Sequence, residues 1–426
     1  MKADAWRPDT GKPCATTGAG VVNTSMRLSI VMVLAFLVLA CGDATTEPPR
    51  SDAPPKNSLA ATATQTCLIE LGGGIVCWGW VGSTSGSGLE ETPPRRLIFP
   101  DANLRFSDIS AGASSMCAIA GSQKLYCWGS NIYGELGDGT RTPRSTPVAV
   151  ASEARFTEVG VGVYSVCGRT VANELHCWGR NDHGHIASGS AREGEVQLLP
   201  ARVNTSLQFS ELSPGWMFCG LVNNGAVYCW GAISGSFDPL AHVEPGSCAD
   251  YYVMRFVDAP CSTPTRVRTN MTFASLGRTV GPTKCALDRE GAAYCWGEGR
   301  LGTLGNGTAG DGVHAIDPVP VSGGLRFRQV HSGGALVCGL TEGGAAYCWG
   351  NNYRGQLGSG RTDIALSTLP IAVAGGHRFV EITVGNAHGC GLTEDRTVWC
   401  WGVGTEGQLG RAGAEGDAAT PVRVAR

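Results

Sequence analysis

An all-β fold built from seven similar units is predicted by three features of the sequence. Seven cysteine pairs share one spacing of ten residues, and each second cysteine is followed by Trp-Gly. Glycine accounts for 62 of the 426 residues, which indicates many tight turns and therefore many short strands. Hydrophobic residues make up 42% of the chain, enough to bury a large core. Such repeats, 50 to 66 residues apart, are typical of a β-propeller.

Each repeat contains four short apolar runs separated by glycine-rich turns. In the fullest unit, the hairpin from Cys117 to Cys127 precedes a turn near Gly139, a Thr-Pro-Val run at 146–148 and then Phe156. With the hairpin centred on Ser122, the two cysteines stand opposite each other, about 4.5–5.5 Å apart and within reach of a disulfide. We therefore predict a seven-bladed β-propeller with four-stranded antiparallel blades.

The two ends of the repeat region predict how the ring closes. No Pro-Val run precedes the first cysteine pair, where only Leu59 and Ala61 stand at core spacing. A Pro-Val run at Pro421-Val422 follows the last pair. We expect the C-terminal strand to complete the first blade, which would hide the exposed sheet edges of an open array.

The cysteines predict eight disulfides once Cys14 and Cys41 are set aside. Cys248 and Cys261 lie in an insertion at about 232–263 and could form the eighth bridge. An even, fully assigned set fits an oxidising compartment. Zinc sites are the competing interpretation, but they favour C-x2–4-C pairs, which the sequence lacks, and we expect no metal. The seven hairpin pairs are Cys67–Cys77, Cys117–Cys127, Cys167–Cys177, Cys219–Cys229, Cys285–Cys295, Cys338–Cys348 and Cys390–Cys400.

The N-terminal region contains an export signal. Arg27 precedes a 13-residue apolar run from Leu28 to Ala40, too short to span a bilayer and typical of a signal-peptide core. The run ends at Cys41 in the sequence Val-Leu-Ala-Cys, which resembles the bacterial lipobox, in which the cysteine receives diacylglycerol. An ordinary signal peptide with a chance cysteine is the alternative. Gly42, rather than an aspartate, follows the cysteine and favours the outer membrane where one exists.

These features divide the chain into four parts. Residues 1–25 make no sense as an export signal, so we expect them to lie upstream of a true start at Met26. Residues 26–40 are the predicted signal peptide. Residues 41–57 are a lipidated, flexible, proline-rich tether. Residues 58–426 form the propeller.

The sequence carries no recognisable catalytic signature. It has no G-x-S-x-G, H-E-x-x-H or phosphate-binding loop motif. We see no cluster of carboxylates or tyrosines at matching repeat positions, and we predict a chain that is not an enzyme and holds no cofactor. His183 and His185 could bind a metal, but we interpret them as turn residues, and His388 as structural. The net charge of −3, without a basic cluster, argues against a nucleic-acid surface.

Two aromatic segments are candidate binding sites. Trp216 lies where other repeats carry small residues. The insertion has the composition of an interface hot spot. Packing of these aromatic side chains onto their own blade is the alternative for both segments. The insertion residues concerned are Tyr251, Tyr252, Arg255 and Phe256.

The Trp-Gly step and the Gly-x-Leu-Gly turns at 134–137, 355–358 and 407–410 resemble the regulator of chromosome condensation repeat family. The resemblance covers residues 59–426 and implies a seven-bladed propeller, although repeats one and four depart from the turn motif. The chain is also similar to the type II β-lactamase inhibitory protein, an exported propeller that caps an enzyme with one face.

We expect an envelope-tethered, non-catalytic, monomeric module that binds an unknown envelope or extracellular protein or glycan and reaches the membrane only through its lipid. Two alternatives come from other functional classes. The family resemblance also implies a guanine-nucleotide exchange factor, which export and oxidised cysteines oppose. A propeller enzyme acting on envelope polysaccharide is the third possibility.

Overall fold

The computed structural model describes residues 55–80, 94–99, 101, 103–192, 194–231, 262–411 and 416–425. Within these ranges every regular element is a β-strand. The described residues therefore include no helix that could span a membrane. The strands form seven blades, each with four antiparallel strands from one continuous stretch of chain. The first strands of successive blades contact one another, and the seventh contacts the first around a central channel. The predicted seven-bladed β-propeller is confirmed.

The first four blades follow one another along the chain. Blade one contains β1 (Leu59–Ala61), β2 (Gln65–Ile69), β3 (Ile75–Gly79) and β4 (Arg95–Arg96). Blade two contains β5 (Phe106–Ala111), β6 (Ser115–Ala120), β7 (Leu125–Gly129) and β8 (Arg144–Ala149). Blade three contains β9 (Phe156–Val161), β10 (Ser165–Thr170), β11 (Leu175–Arg180) and β12 (Val196–Arg202). Blade four contains β13 (Phe209–Ser213), β14 (Phe218–Val222), β15 (Val227–Trp230) and β16 (Thr265–Arg266).

The remaining three blades keep this order with one variation. Blade five contains β17 (Ser275–Leu276), β19 (Thr283–Leu287), β20 (Ala293–Glu298) and β21 (His314–Pro320). Its short β18 (Arg278–Thr279) leaves the blade and pairs in parallel with β22 of blade six. Blade six contains β22 (Phe327–Ser332), β23 (Leu336–Thr341), β24 (Ala346–Asn351) and β25 (Leu366–Ala372). Blade seven contains β26 (Phe379–Val384), β27 (His388–Thr393), β28 (Val398–Gly402) and β29 (Ala418–Arg423).

The cysteine hairpins have the predicted register. Cys117 stands opposite Cys127 and is bonded to it, and the other six hairpin pairs are arranged in the same way. All fourteen cysteines are buried, so each bridge joins the second and third strands inside its blade. The seven predicted hairpin disulfides are therefore confirmed. Cys41, Cys248 and Cys261 lie outside the described residues.

The predicted ring closure is wrong. The C-terminal strand β29 pairs with β28 in blade seven, not with a strand of blade one. Blade one has its own first strand, β1, and its own short fourth strand, β4. The prediction assigned each Pro-Val run to the blade of the cysteine hairpin that follows it. In the structure the run is the fourth strand of the blade whose hairpin precedes it. Each repeat therefore begins at its phenylalanine strand, and the last Pro-Val run belongs to blade seven.

Hydrogen bonds and packing, rather than a shared strand, join blade seven to blade one. The indole Nε1 of Trp78 donates to the carbonyl oxygen of Gln408 (3.0 Å). The carboxylate of Glu381 accepts from the backbone N–H groups of Ser58 and Leu59 (2.9 Å each). Leu59, Leu68 and Trp78 of blade one also pack in one apolar cluster with residues of blade seven. The ring is closed by the same kind of contact that joins its other blades.

The tryptophan of each Trp-Gly step lies between neighbouring blades. Trp178, Trp230 and Trp349 are fully buried. Each indole Nε1 donates a hydrogen bond of 2.9–3.1 Å to a carbonyl oxygen in the turn of the preceding blade. The acceptors are Glu135, His185 and Thr303, respectively. In these blades the tryptophan supplies apolar area and one donor, and the preceding turn supplies the acceptor. The indole Nε1 of Trp128, Trp296 and Trp401 has no partner among the described residues, so these tryptophans contribute by packing.

His388 occupies the junction of blades seven and one. It is fully buried, and its Nε2 lies 2.9 Å from the Thr66 hydroxyl. Its Nδ1 has no partner among the described residues, which favours the tautomer in which Nε2–H donates to Thr66. Burial lowers the pKa of His388 from 6.5 to about 4. The structure thus places this histidine in a packing role.

This burial predicts a pH dependence of stability. Between pH 6.5 and about 4 the unfolded chain binds a proton at His388 and the folded chain does not, so lowering the pH favours unfolding. We expect the free energy of unfolding of the wild type to fall more steeply over this range than that of His388→Gln, by about 1 kcal/mol per pH unit. Urea unfolding at several pH values measures this difference. His314→Gln, at an exposed histidine, is the matched control, and equal slopes for His388→Gln and wild type would contradict the assignment.

Candidate interaction face

The alternation of strand direction in each blade gives the ring two distinct faces. The upper face carries the connections from first to second and from third to fourth strands. The lower face carries the cysteine hairpin turns and the linkers between blades. The third-to-fourth connections on the upper face include the Gly-x-Leu-Gly turns. In blades two, three and six a buried asparagine organises this connection through bonds to its own loop, at Asn131, Asn181 and Asn352.

The centre of the upper face is uncharged. The seven first-to-second connections at 62–64, 112–114, 162–164, 214–217, 280–282, 333–335 and 385–387 contain no Asp, Glu, Lys or Arg. We call these connections the collar. Neighbouring parts of it are hydrogen bonded, as from Ala63 N to Ala113 O (3.1 Å) and from Val163 N to Gly215 O (3.2 Å). The collar therefore forms a connected surface around the upper end of the channel.

Glycine allows the collar to pack this tightly. A β-carbon on Gly112 would lie 1.9 Å from the carbonyl oxygen of Gly162, and one on Gly333 would lie 2.0 Å from that of Gly385. Real β-carbons do not approach a carbonyl so closely, so any side chain at these positions would force the loops apart.

Two half-buried aromatic residues, Tyr164 and Trp216, lie on adjacent parts of the collar. Tyr164 packs edge-on against Tyr133 of blade two, with ring centroids 5.1 Å apart. The guanidinium of Arg180 lies 5.0 Å from the ring of Tyr133 and 5.2 Å from that of Tyr164, and it pairs with Asp182 at 2.5 Å. Aromatic rings, an arginine and an uncharged centre with charged residues at its margin are the composition of a protein interface.

Trp216 is thus the one sequence-predicted binding residue that the structure describes. Tyr251, Tyr252, Arg255 and Phe256 lie outside the described residues. In sequence they fall between β15 (Val227–Trp230) and β16 (Thr265–Arg266) of blade four.

A buried lysine, Lys284, supports the Trp216 connection and was missed by sequence reasoning. Its side chain is 1% exposed, and Nζ donates to the carbonyl oxygens of Ser213 (3.2 Å) and Pro214. Burial holds the pKa of Lys284 well below its usual value. The sequence signal was a departure from the repeat. The residue before the first cysteine is uncharged in every other blade, at Thr66, Met116, Val166, Phe218, Val337 and Gly389.

A second group of residues that sequence reasoning missed lines the lower end of the channel. The expectation that no carboxylates recur at matching positions is wrong, because an acid stands two residues after the repeat phenylalanine in four blades. Glu158, Glu211 and Glu381 each accept a backbone N–H of the next blade, from Leu212 (3.1 Å), Leu276 (2.7 Å) and Leu59 (2.9 Å). The fourth, Asp108, meets a side chain from across the channel.

Arg278 crosses the channel from blade five to blade two. Its guanidinium donates to the carbonyl oxygen of Ile109 (2.5 Å) and to the carboxylate of Asp108 (3.1 Å). Glu158 forms ion pairs with Lys56 of the N-terminal segment (3.2 Å) and with Arg169 of its own blade (3.1 Å). Each of the four acids therefore makes at least one structural bond, while Oδ2 of Asp108 has no partner among the described residues.

Burial shifts the titration of the groups along the channel. It raises the pKa of Asp108, Glu211 and Glu381, although for each of them a cation or a hydrogen-bond donor opposes the shift. Burial, reinforced by the charge of Arg278, lowers the pKa of His331 to about 3. His331 is consequently neutral at physiological pH and adds no charge to the channel.

The structure gives no metal-binding role to the paired histidines. The ring centroids of His183 and His185 are 5.7 Å apart, and the carbonyl oxygen of His185 accepts the Trp230 indole. Among the described residues, no group of three His, Cys, Asp or Glu side chains could hold a metal ion.

Family models for the regulator of chromosome condensation (RCC1) repeat match two parts of the chain. One model matches residues 106–135, 327–356 and 379–408, and another matches 123–168 and 343–392. All of these ranges contain a cysteine hairpin or a Gly-x-Leu-Gly turn described above.

Curated relatives match over part of their length. The human E3 ubiquitin-protein ligase HERC2 is 37% identical over 31% of this chain and 3% of its own length. The Arabidopsis thaliana ultraviolet-B receptor UVR8 is 35% identical over 31% of this chain and 29% of its own. The Arabidopsis mitochondrial RCC1 domain-containing protein RUG3 is 28% identical over 54% of this chain and 50% of its own. The chain thus spans at most half the length of these relatives.

Solved structures show the same fold. Prp20p from Saccharomyces cerevisiae, described with its binding to Gsp1p and histones, superposes with a TM-score of 0.67 at 17% identity, covering 86% of both chains. Human WBSCR16 superposes with a TM-score of 0.66 at 18% identity, covering 82% of this chain and 89% of that one. At these identities the likeness concerns the fold alone.

The channel crossing predicts an energetic coupling. Arg278→Ala leaves the buried Asp108 carboxylate without its cation, so we expect the free energy of unfolding to fall by about 3 kcal/mol. Adding Asp108→Asn removes the unpaired buried carboxylate and should restore part of the lost free energy of unfolding. A double-mutant cycle, with each variant unfolded in urea, measures this coupling. Arg361→Ala, which breaks an exposed ion pair with Asp363, should leave stability unchanged. Additive effects of the two channel substitutions would show that the pair does not interact.

Proposed function

Because the chain carries RCC1 repeats, we propose that it is a non-catalytic interaction module that binds a partner protein through its upper face. The observation that carries this proposal is the uncharged collar with Tyr164 and Trp216 on it. Desolvating such a surface costs little, because it contains no ion that must be stripped of water, and the aromatic rings supply large rigid contact areas. A glycan is the second class of partner that an aromatic surface could bind.

The lower end of the channel gives a second argument for the upper face. Lys56 donates its backbone N–H to the carbonyl oxygen of Ser107 (2.9 Å), and the Asn57 amide donates to Asp108 (2.6 Å). Ser107 is the second residue of its strand, so the described N-terminal segment meets the ring on the lower side. A tether attached at this point would start from the side opposite the proposed binding face.

We further propose that residues 41–57 anchor the propeller to the bacterial envelope through a lipid on Cys41, after removal of a signal peptide at 26–40. Support comes from the lipobox-like sequence and from the seven hairpin disulfides, which fit an oxidising compartment. Gly42, rather than an aspartate, follows Cys41, and this favours the outer membrane where one exists. The same export argument weighs against a guanine-nucleotide exchange role on an intracellular GTPase, which rests on the fold alone.

The proposal predicts that two substitutions on the collar abolish partner capture. Blade two carries Ser114 where blades three and four carry Tyr164 and Trp216, so Tyr164→Ser/Trp216→Ser introduces a residue that the repeat already accommodates. We expect crosslinking pull-downs from envelope extract to enrich one protein with the oxidised wild type, at least about tenfold more than with this variant.

The matched control removes exposed apolar side chains from the lower face. Leu71 and Val171 are 81% and 53% exposed in lower-face hairpins, and Leu71→Ala/Val171→Ala should capture the partner as the wild type does. A Tyr251→Ala/Tyr252→Ala/Phe256→Ala variant tests the insertion. Capture that is lost in the control and kept in the collar variant would refute the upper-face proposal. Melting temperatures identify a variant that fails because it unfolds.

A further inference from the structure

A groove on the lower side of blade seven departs from the repeat pattern. It has a volume of about 800 Å³ and runs between the linker that enters the blade and the cysteine hairpin turn. Its lining includes the aromatic pair His377 and Trp399, the arginines Arg378 and Arg423, and the acids Glu394 and Asp395. A second hollow shares Asp395, Thr397 and Arg423 with it, so the two form one continuous groove.

The floor of the groove is a pair of aromatic rings. The imidazole of His377 lies over the indole of Trp399, with ring centroids 4.1 Å apart and an interplanar angle of 33°. Burial lowers the pKa of His377, so at neutral pH this ring is an uncharged flat surface. Both side chains are only half-buried, which leaves part of the aromatic surface open to solvent.

The other blades act as internal controls for this floor. In blades two to six the residue two positions before the repeat phenylalanine is aliphatic or methionine, and the residue before the second cysteine is tyrosine or histidine. Blade one has no repeat phenylalanine and carries Val76 before its second cysteine. Blade seven departs at both positions, and the two departing residues touch. An aliphatic residue over a tyrosine already packs this position in other blades. Packing alone therefore does not explain why blade seven has a histidine over a tryptophan. The equivalents of His377 are Leu104, Ala154, Leu207, Met271 and Leu325, and those of Trp399 are Tyr126, His176, Tyr228, Tyr294 and Tyr347.

Two arginines stand at the margin of the groove, together with the acids Glu394 and Asp395, and the charge of Arg423 acts on Asp395. Arg378 and Arg423 are exposed, and neither guanidinium forms an ion pair or hydrogen bond with a described residue. The nearby Asp395 is already engaged, because it accepts from the Thr393 hydroxyl (2.5 Å) and from the Thr397 backbone N–H (3.1 Å) and hydroxyl (3.0 Å). The free groups of the groove are therefore the two guanidinium donors and the exposed Glu394 carboxylate, and an acidic sugar offers a carboxylate to the former and hydroxyl groups to the latter.

We propose that this groove binds an acidic saccharide, a sugar ring that carries a carboxylate. The flat C–H face of a pyranose ring would pack on the open aromatic surface, as apolar groups pack on exposed aromatic rings. A carboxylate matches the planar fork of a guanidinium, which makes two parallel hydrogen bonds to it. The remaining lining is mainly polar and offers no deep apolar pocket for a peptide side chain, which favours a sugar over a peptide. The site lies opposite the upper face and is independent of partner binding there.

Isothermal titration of the full oxidised chain with tri-galacturonic acid tests the proposal, with cellotriose as the neutral trisaccharide. We expect the acidic sugar to bind at least about tenfold more tightly than the neutral one, because only its carboxylates can pair with the guanidinium groups. Arg378→Ala/Arg423→Ala should weaken the acidic sugar at least about tenfold, and Trp399→Tyr, the residue of most other blades, about threefold.

The matched control is Arg326→Ala, which removes the equivalent arginine of blade six and should leave the affinity unchanged. Raising the salt concentration should weaken binding, as expected for an exposed charge pair. Any of three results would overturn the proposal: no binding of tri-galacturonic acid to the wild type at millimolar concentration, equal binding to the double-arginine variant, or equal binding of the two sugars. Thermal unfolding of each variant separates loss of the site from loss of the fold.

Discussion

The buried indole that joins each blade to the one before it is the contact on which the architecture depends. Four of these tryptophans, Trp78, Trp178, Trp230 and Trp349, donate to a turn carbonyl of the preceding blade. Each holds the upper-face turn of the preceding blade, which is Gly-x-Leu-Gly in blades two, five and seven and Gly-His-Ile-Ala in blade three. The bond from Trp78 to blade seven is of the kind found at three other junctions, so the ends of the ring are joined without a shared strand. A propeller closed in this way depends on buried side-chain donors where others depend on a continuous sheet.

Much of the fold could be predicted because the cysteine spacing fixes strand register locally. Cys117 opposite Cys127 determines every other pair in that hairpin, and no long-range information is needed. The ring closure could not be read in the same way, because a Pro-Val run between two hairpins can belong to either blade. Pairing of Cys400 with Val422 resolves the choice in favour of the preceding hairpin.

The candidate sites were harder to predict because their residues meet across the ring. Asp108 and Arg278 are 170 positions apart, and only the closed channel brings them together. The recurring acids were visible in principle, two residues after the repeat phenylalanine in four blades, but a single acid at this position resembles a scattered charge. Trp216 was identified because it departs from its repeat, and Lys284, His377 and Trp399 depart in the same sense. In a repeat protein, the positions that break the repeat are therefore the best guide to function.

The two faces of the ring differ in the residues that they carry. Acids inside the channel accept structural hydrogen bonds, the collar leaves an uncharged centre on the upper face, and the described N-terminal residues Lys56 and Asn57 meet the lower side. The most direct test is hydrogen–deuterium exchange of the oxidised chain, alone and after capture of its partner from envelope extract. The account predicts that protection on binding is concentrated in the collar, including 162–164 and 214–217. Protection confined to the lower-face hairpins, with an unchanged collar, would contradict it.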